Sequence, residues 1–325
     1  SQINHRNTLS RDFECLIKTL LNYSSGVCLV NSHNIMIWFV LNPKSGTTTP
    51  AKRNKIIQAI NKQANCRLIL TEYAGHATEI AQQAVQQGIS RVVAVGGDGT
   101  VNEVARGLVG SDTALGIIPI GSGNGLARHL NIPLKIDKAI QFAIQQPTAQ
   151  IDACYLNEIP FFCTAGVGFD AFVANEFAQQ DSRGLKTYAK MSLKSFRTYK
   201  PEAYVISHQG KDYAKMAFSI TFANATQYGN NALISPKSKI DDGLIDLVIL
   251  KPFPFGAAPI IGVRLFRGTL PNSRYIDMEI SEDYVLKSEK PLLIHFDGEP
   301  LQLDTNEIRV YIKPKSLKVV AGVVE

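Results

Sequence analysis

The sequence predicts an α/β protein in two parts: a doubly wound, mostly parallel sheet, then a β-rich domain built as an antiparallel sandwich or barrel. Three observations predict it. Between residues 35 and 119, apolar β-type runs alternate with helical periodicities, the pattern of a parallel sheet with helices on both faces. After Asp152 the strands shorten, glycine and proline become the punctuation, and helices thin out. Lastly, the turns at 42–46, 96–100 and 121–125, together with Thr71, all follow predicted parallel strands. That is the edge at which open sheets bind ligands.

The elements follow in order. Residues 1–34 form an extension, polar as far as Thr8. There Phe13, Leu16, Ile17, Leu20 and Leu21 predict a short docking helix behind a Ser10 cap. IMIWFVL at 35–41 is a strand that ends in the turn Asn42-Pro43-Lys44-Ser45-Gly46. Helices are expected over 52–63, 76–88 and 100–108, and strands over 66–71, 91–95 and 114–119. The domain boundary falls near 145–150, giving domains 35–150 and 151–325. Beyond it PFFCTAGVGF, EAYVISHQ, MAFSITFAN, GLIDLVIL, PLLIHFDG and IRVYIKP read as strands. One helix interrupts them. Between Ser182 and Lys200 stand six cations and no acid, with Lys186, Lys190, Lys194 and Arg197 on one face. Such a helix serves equally as a solvated face or as a rest on anionic lipid. The apolar stretch at 251–266 is a second candidate for surface contact, although its composition better suits an ordinary packed helix.

Composition narrows the partners. The 325 residues are 45% hydrophobic, enough for a large core. The net charge of +6 suits phosphate ligands or an anionic membrane but is not the dense basic patch of a nucleic-acid binder. The five cysteines, Cys15, Cys28, Cys66, Cys154 and Cys163, include no C-x-x-C pair. They read as reduced core thiols of a cytoplasmic protein, without a zinc site. The apolar run at 27–40 is broken by Asn31, His33 and Asn34 and is too short to span a bilayer.

The chemistry concentrates in five motifs. VGGDGTVNEV joins a strand to a helix through Gly96, Gly97, Asp98 and Gly99. Glycines there let phosphate oxygens reach backbone N–H groups, and Thr100 can cap the helix or donate to phosphate. Asp98 would repel phosphate, so its carboxylate suits a magnesium–water shell or an acceptor hydroxyl; a mere turn residue is the plainer reading. PIGSGNGLARHL repeats the design with Ser122 at the phosphate position, and NPKSG is a third such turn, with Lys44 adding charge. Asp241-Asp242-Gly243 and Asp297-Gly298-Glu299 read first as hairpin turns. Each also sets a carboxylate at a strand end, the first suited to a hard cation and the second to accepting a proton. Asp170, in GVGFDAF, either contacts substrate or ties down a turn.

In order and spacing these motifs resemble the diacylglycerol kinase catalytic-domain family, which includes bacterial lipid kinases, sphingosine kinases and ceramide kinase. The resemblance runs from about residue 35 to the C-terminus. It implies a nucleotide domain, a β-sandwich lipid domain and an active site in the cleft between them. It implies ATP against Asn42, Pro43, Lys44, Ser45, Gly46, Thr71, Gly96, Gly97, Asp98, Gly99, Thr100, Val101, Asn102 and Ser122. It implies Mg²⁺ at the Asp242 side chain and the main-chain oxygens of Lys239 and Leu244. Glu299 is the implied general base, with Asp98 its rival, since sphingosine-kinase-like relatives give that duty to the acid of the glycine loop. Where many bacterial diacylglycerol kinases read G-T-x-N-D, this chain has Gly121-Ser122-Gly123-Asn124-Gly125, closer to sphingosine and ceramide kinases. The expectation is an ATP- and Mg²⁺-dependent lipid kinase, cytoplasmic and peripheral at the inner membrane surface, with no nucleic-acid partner. Which lipid it takes, and whether it forms a homodimer, stay open. So do two other classes: a nicotinamide-dinucleotide kinase, which shares the G-G-D-G loop, and a non-catalytic nucleotide- or lipid-binding relative.

Overall fold

The computed structural model describes residues 36–45, 49–180 and 184–322, except the side chains of Leu185 and Lys186. The expected N-terminal helix, Gly46 and Arg183 lie outside the described residues. The chain runs β1 (Ile37–Leu41), α1 (Pro50–Asn61), β2 (Cys66–Leu70), α2 (His76–Gln86), β3 (Arg91–Gly96), α3 (Asp98–Leu108), β4 (Ala114–Pro119), α4 (Gly125–His129) and α5 (Ile136–Gln145). There follow β5 (Thr148–Leu156), β6 (Ile159–Phe161), β7 (Thr164–Gly168), α6 (Phe169–Ala178), α7 (Leu185–Phe196), β8 (Glu202–His208), β9 (Lys211–Ala217), β10 (Ser219–Ala223) and β11 (Ile245–Leu250). Last come α8 (Ala258–Phe266), β12 (Ile276–Ser281), β13 (Asp283–Ser288), β14 (Leu293–Phe296), β15 (Glu299–Gln302) and β16 (Glu307–Val320). The α/β class with a separate antiparallel sandwich stands as the sequence predicts.

The parallel strands are apolar throughout because both of their faces are covered. Trp38, Val40, Val92, Ala94, Leu115 and Ile117 face one side, against α2 and α3. Their neighbours Ile37, Phe39, Leu41, Val93, Val95 and Ile118 face the other, against Ile56 and Ile60 of α1 and Ala139, Ile140 and Ala143 of α5. Helix boundaries follow local chemistry. Pro50 stands in the first turn of α1, where its missing N–H costs nothing, and Thr49 Oγ1 accepts from Lys52 N. Helix α3 begins at Asp98, two residues before the expected start. A carboxylate in the first turn meets the positive end of the helix dipole, which favours the earlier start.

Two sheets result. One runs β2-β1-β3-β4-β16-β13-β8-β9, with β5 along β16; the other runs β12-β11-β10-β7-β14-β15. Strand β16 serves both parts. It lies parallel to β4 at Val319 and antiparallel to β13 and β5 elsewhere. The sandwich core fills the space between the sheets, with Tyr204, Ile206, Tyr284 and Leu286 facing Ile220, Phe222, Leu247 and Ile294.

Within the stretch at 251–266, Ala258–Phe266 form α8, which packs on the sandwich by one side. One side of α8 buries Ile261 and packs Leu265 against the sandwich, while Ile260, Val263 and Phe266 stay exposed on the other.

Asp152 of β5 ties that strand to β16 and to the turn at Gly243. It is fully buried, and its carboxylate accepts from Gly243 N and Lys315 N, both at 2.7 Å, while its own N–H donates to Ile240 O. Burial pushes its carboxyl up, and the two amides pull it back. Replacing Asp152 with alanine strands two amides, at a cost of about 2–4 kcal/mol. Urea denaturation of Asp152→Ala checks this: the midpoint should fall with an unchanged slope.

Candidate active site

Three turns meet beyond the carboxyl ends of β1, β3 and β4. The first is shaped by Asn42, whose Oδ1 accepts from Lys44 N at 2.9 Å and whose backbone oxygen accepts from Ser45 N at 3.1 Å. Ser45 Oγ then accepts from Gly97 N at 2.7 Å, and Asn42 Nδ2 donates to Thr100 Oγ1 at 3.3 Å. The second and third turns touch backbone to backbone. A Cβ at Gly121 would stand 2.5 Å from Gly97 Cα, so no side chain fits at that point. Asp98 clamps the same pair. Its Oδ2 accepts from Asn124 N at 2.9 Å and its Oδ1 from Gly125 N at 2.7 Å. Enclosure raises its carboxyl above the ordinary value, and the two amide bonds oppose that rise. The first-turn amides of a helix have no carbonyl partner within it, and α3 begins at the junction where these turns meet. Such a mouth holds an anion.

An acid from the sandwich reaches this mouth. The hairpin β14–β15 turns at Asp297 and Gly298, both with positive φ, 47° and 88°. Asp297 anchors it. Its Oδ2 accepts from Asn102 Nδ2 at 2.8 Å and Phe162 N at 2.9 Å; its Oδ1 accepts from Cys163 N at 2.7 Å and Thr164 N at 3.1 Å. Asn102 belongs to α3, so the hairpin is bonded to the helix that carries the glycine loop. One result is that Glu299 Oε1 lies only 2.7 Å from where a Cβ on Gly99 would stand.

Asp170, at the start of α6, is a hub. Its Oδ2 accepts from Thr221 Oγ1 at 3.0 Å and from the Tyr228 hydroxyl at 3.1 Å, and His295 Nε2 lies 3.1 Å from the same oxygen. Burial pushes the Tyr228 phenol well up, so it stays a donor. Beside the hub, Phe169, Phe196, Tyr199, Phe218 and Phe253 form an aromatic cluster.

At the turn Asp241-Asp242-Gly243, Asp242 Oδ1 accepts from Leu244 N at 3.1 Å, and Lys239, Asp241 and Asp242 are exposed. Among the described residues no group of three or more His, Cys, Asp or Glu side chains is placed to hold a metal. The donor set fits a hard cation only as one carboxylate with carbonyl oxygens and water.

The structure thus gathers Asn42, Ser45, Gly96, Gly97, Asp98, Gly99, Thr100 and Glu299 at one mouth. Lys44 and Ser122 are exposed on its turns, and Pro43 O accepts from Arg53 Nη1. Thr71 is buried, with its amide bonded to Leu41 O at the end of the edge strand. The side chain of Val101 is packed into the core and that of Asn102 is buried with its amide on Asp297, so what these two offer the mouth is main chain. The reason is helical phase: both point from α3 towards the protein interior. Sequence reasoning missed Asp297, Asp152, His295, Tyr228 and Thr221. For Thr221 a signal existed, since a polar residue inside the apolar run SITFA asks for a buried partner.

Two measurements follow. Gly121→Ala should push the turns apart and weaken ATP binding at least tenfold, with little change in secondary structure; calorimetric titration reads the first and circular dichroism the second. Asp98 sits above the unfolded aspartate value of about 3.9, so its proton-linked stability is complete below about pH 4 and is lost as pH rises through the folded value. The stability gap between wild type and Asp98→Asn should therefore widen as pH falls from about 7 to about 4, in urea melts at each pH.

Comparisons with known proteins cover both parts of the chain. Residues 36–156 match the Diacylglycerol kinase catalytic domain, and residues 163–321 match the YegS C-terminal NAD kinase beta sandwich-like domain. A Chromohalobacter salexigens protein named "Probable lipid kinase YegS-like" is 31% identical over 68% of this chain and 73% of its own length. A Klebsiella pneumoniae protein of the same name is 28% identical over 86% and 93%. Among solved structures, a diacylglycerol kinase from Bacillus anthracis aligns with a TM-score of 0.67 at 18% identity, covering 89% of this chain and 97% of that one. Yeast NADH kinase aligns at 0.53 and 14% identity, over 89% and 84%, a likeness of fold alone. With both domains matched in order and a lipid-kinase relative at 31% identity, the chain belongs to the diacylglycerol kinase catalytic-domain family of YegS-like lipid kinases.

Proposed function

We propose that this kinase transfers the γ-phosphoryl group of ATP to the hydroxyl of a diacylglycerol-like or sphingoid-like lipid. The observation that carries the reading is Glu299 Oε1 standing over the first turn of α3, at Gly99. The triphosphate lies against the backbone amides of the turns at 42–45, 96–100 and 121–125, where glycines allow close approach. The acceptor hydroxyl enters from the sandwich side, near the Asp170 hub. Glu299 takes the hydroxyl proton as the oxygen attacks the γ-phosphorus, and ADP leaves. Asp98 holds the two glycine turns at their spacing, and its bonds to Asn124 and Gly125 favour that positioning role over proton transfer. Mg²⁺ would be held by Asp242 with main-chain oxygens of Lys239 and Leu244, and when bound it would supply charge neutralisation. Residues 35–150 carry the nucleotide and 151–325 the lipid.

The substrate class sets the place of work. A kinase for a bilayer lipid acts peripherally at the cytoplasmic membrane surface. Among the described residues no helix is long and apolar enough to cross a membrane, and the net charge of +6 suits an anionic leaflet.

Labelled ATP with diacylglycerol, monoacylglycerol, sphingosine, ceramide and NAD, resolved by thin-layer chromatography, tests the reading. Label should enter one lipid class and require divalent metal. Label in NAD alone, or in nothing, refutes it. Glu299→Gln should lower kcat by roughly 10²–10⁴-fold, the range of a lost general base, while ATP affinity stays within about twofold.

A further inference from the structure

Helix α8 has two apolar sides. Ile261 and Leu265 face the sandwich, one turn apart. On the other side Ile260 is 61% exposed, Val263 51% and Phe266 48%, with Phe255 at 52% just before the helix. Gly256 and Gly262 have open space where a Cβ would stand. Ile260, Val263, Arg264 and Arg267 follow the spacing i, i+3, i+4, i+7, so the two arginines share this side of the helix with the apolar residues. A helix apolar on both sides needs cover on both.

Charge selects the cover. From Lys251 to Ile276 the chain carries four cations, Lys251, Arg264, Arg267 and Arg274, and no acid. Lys251 is paired with Asp277, which leaves the arginines to set the field of this face. A second copy joined two-fold through the face would set arginines against arginines with no carboxylate of the stretch between them. An anionic bilayer instead offers acyl chains to the apolar row and phosphates to the arginines.

We propose that the face formed by Phe255, Ile260, Val263 and Phe266, with Arg264 and Arg267 on the same side, docks the protein on an anionic lipid bilayer. This rests on the lipid-kinase reading for its purpose, though not for its geometry. The Phe255 ring meets Phe196 at 5.4 Å, and Phe196 meets Phe169, the neighbour of Asp170, at 6.1 Å. Docking here lays the bilayer beside the aromatic cluster that leads to the acceptor hub.

The test uses the full chain with sedimenting vesicles of equimolar phosphatidylglycerol and phosphatidylcholine, and with pure phosphatidylcholine. Wild type should bind the anionic vesicles, less so at high salt. Ile260→Asp with Val263→Asp should lower that binding at least tenfold, at an unchanged melting temperature. Arg264→Gln with Arg267→Gln should erase the preference for anionic vesicles. Both variants should phosphorylate detergent-dispersed lipid at the wild-type rate and vesicle lipid far more slowly. Wild-type-like vesicle binding by the aspartate variant overturns the proposal. So does a fall in its melting temperature, which would mean that the face is covered within the chain, or a wild-type dimer that the variant splits in sedimentation velocity. If no dispersed lipid is phosphorylated by any form, the kinase reading fails, and vesicle binding still decides the docking face.

Discussion

The site depends on one buried carboxylate. Asp297 gathers four hydrogen bonds, from Asn102 of α3 and from the amides of Phe162, Cys163 and Thr164. An isolated carboxylate in that place would be far too costly to keep charged. Burial does raise its proton affinity, and the four donors work against that rise. The bond to Asn102 is the one that matters for chemistry. It ties a hairpin of the sandwich to the helix whose first turn is the glycine loop, and the neighbouring acid on that hairpin then has a fixed address.

The same economy appears at the glycine turns. Two backbones approach so closely at Gly97 and Gly121 that an added methyl group would overlap main chain. Close approach alone would leave the turns free to slide. Asp98 stops that by accepting two amides of the opposite turn. A residue that looks catalytic by type therefore acts through shape. Loop amides aimed at one point work as preorganised dipoles only while their spacing holds.

Much of this was legible beforehand, for physical reasons. Runs such as RVVAVG announce a buried parallel strand because both faces are covered, and a strand–glycine–helix junction announces an anion mouth. Glu299 could be singled out because a charged residue beside an Asp-Gly turn stands at a strand end. The start of α3 was not legible at the loop: Asp98 and Gly99 read as turn residues and belong to the helix. Nor were partnerships across long separations legible, such as Asn102 with Asp297, 195 residues apart. Nothing local in either residue names the other. For a related reason the outer side of α8 was not legible: its composition suits a core helix, and only the packing reveals that the sandwich covers a single side.

Strand β16 has a consequence for motion. Its 14 residues run from the sandwich, beside β13, to the parallel sheet, beside β4. Hinged closure needs a few unladdered residues to absorb the rotation. Here the one irregularity, between Lys313 and Leu317, is held by Asp152 on Lys315 N. Rotation at that point would cost the bonds Asp152 makes to Lys315 N and Gly243 N, so one buried acid acts as the latch of a strand that both parts share.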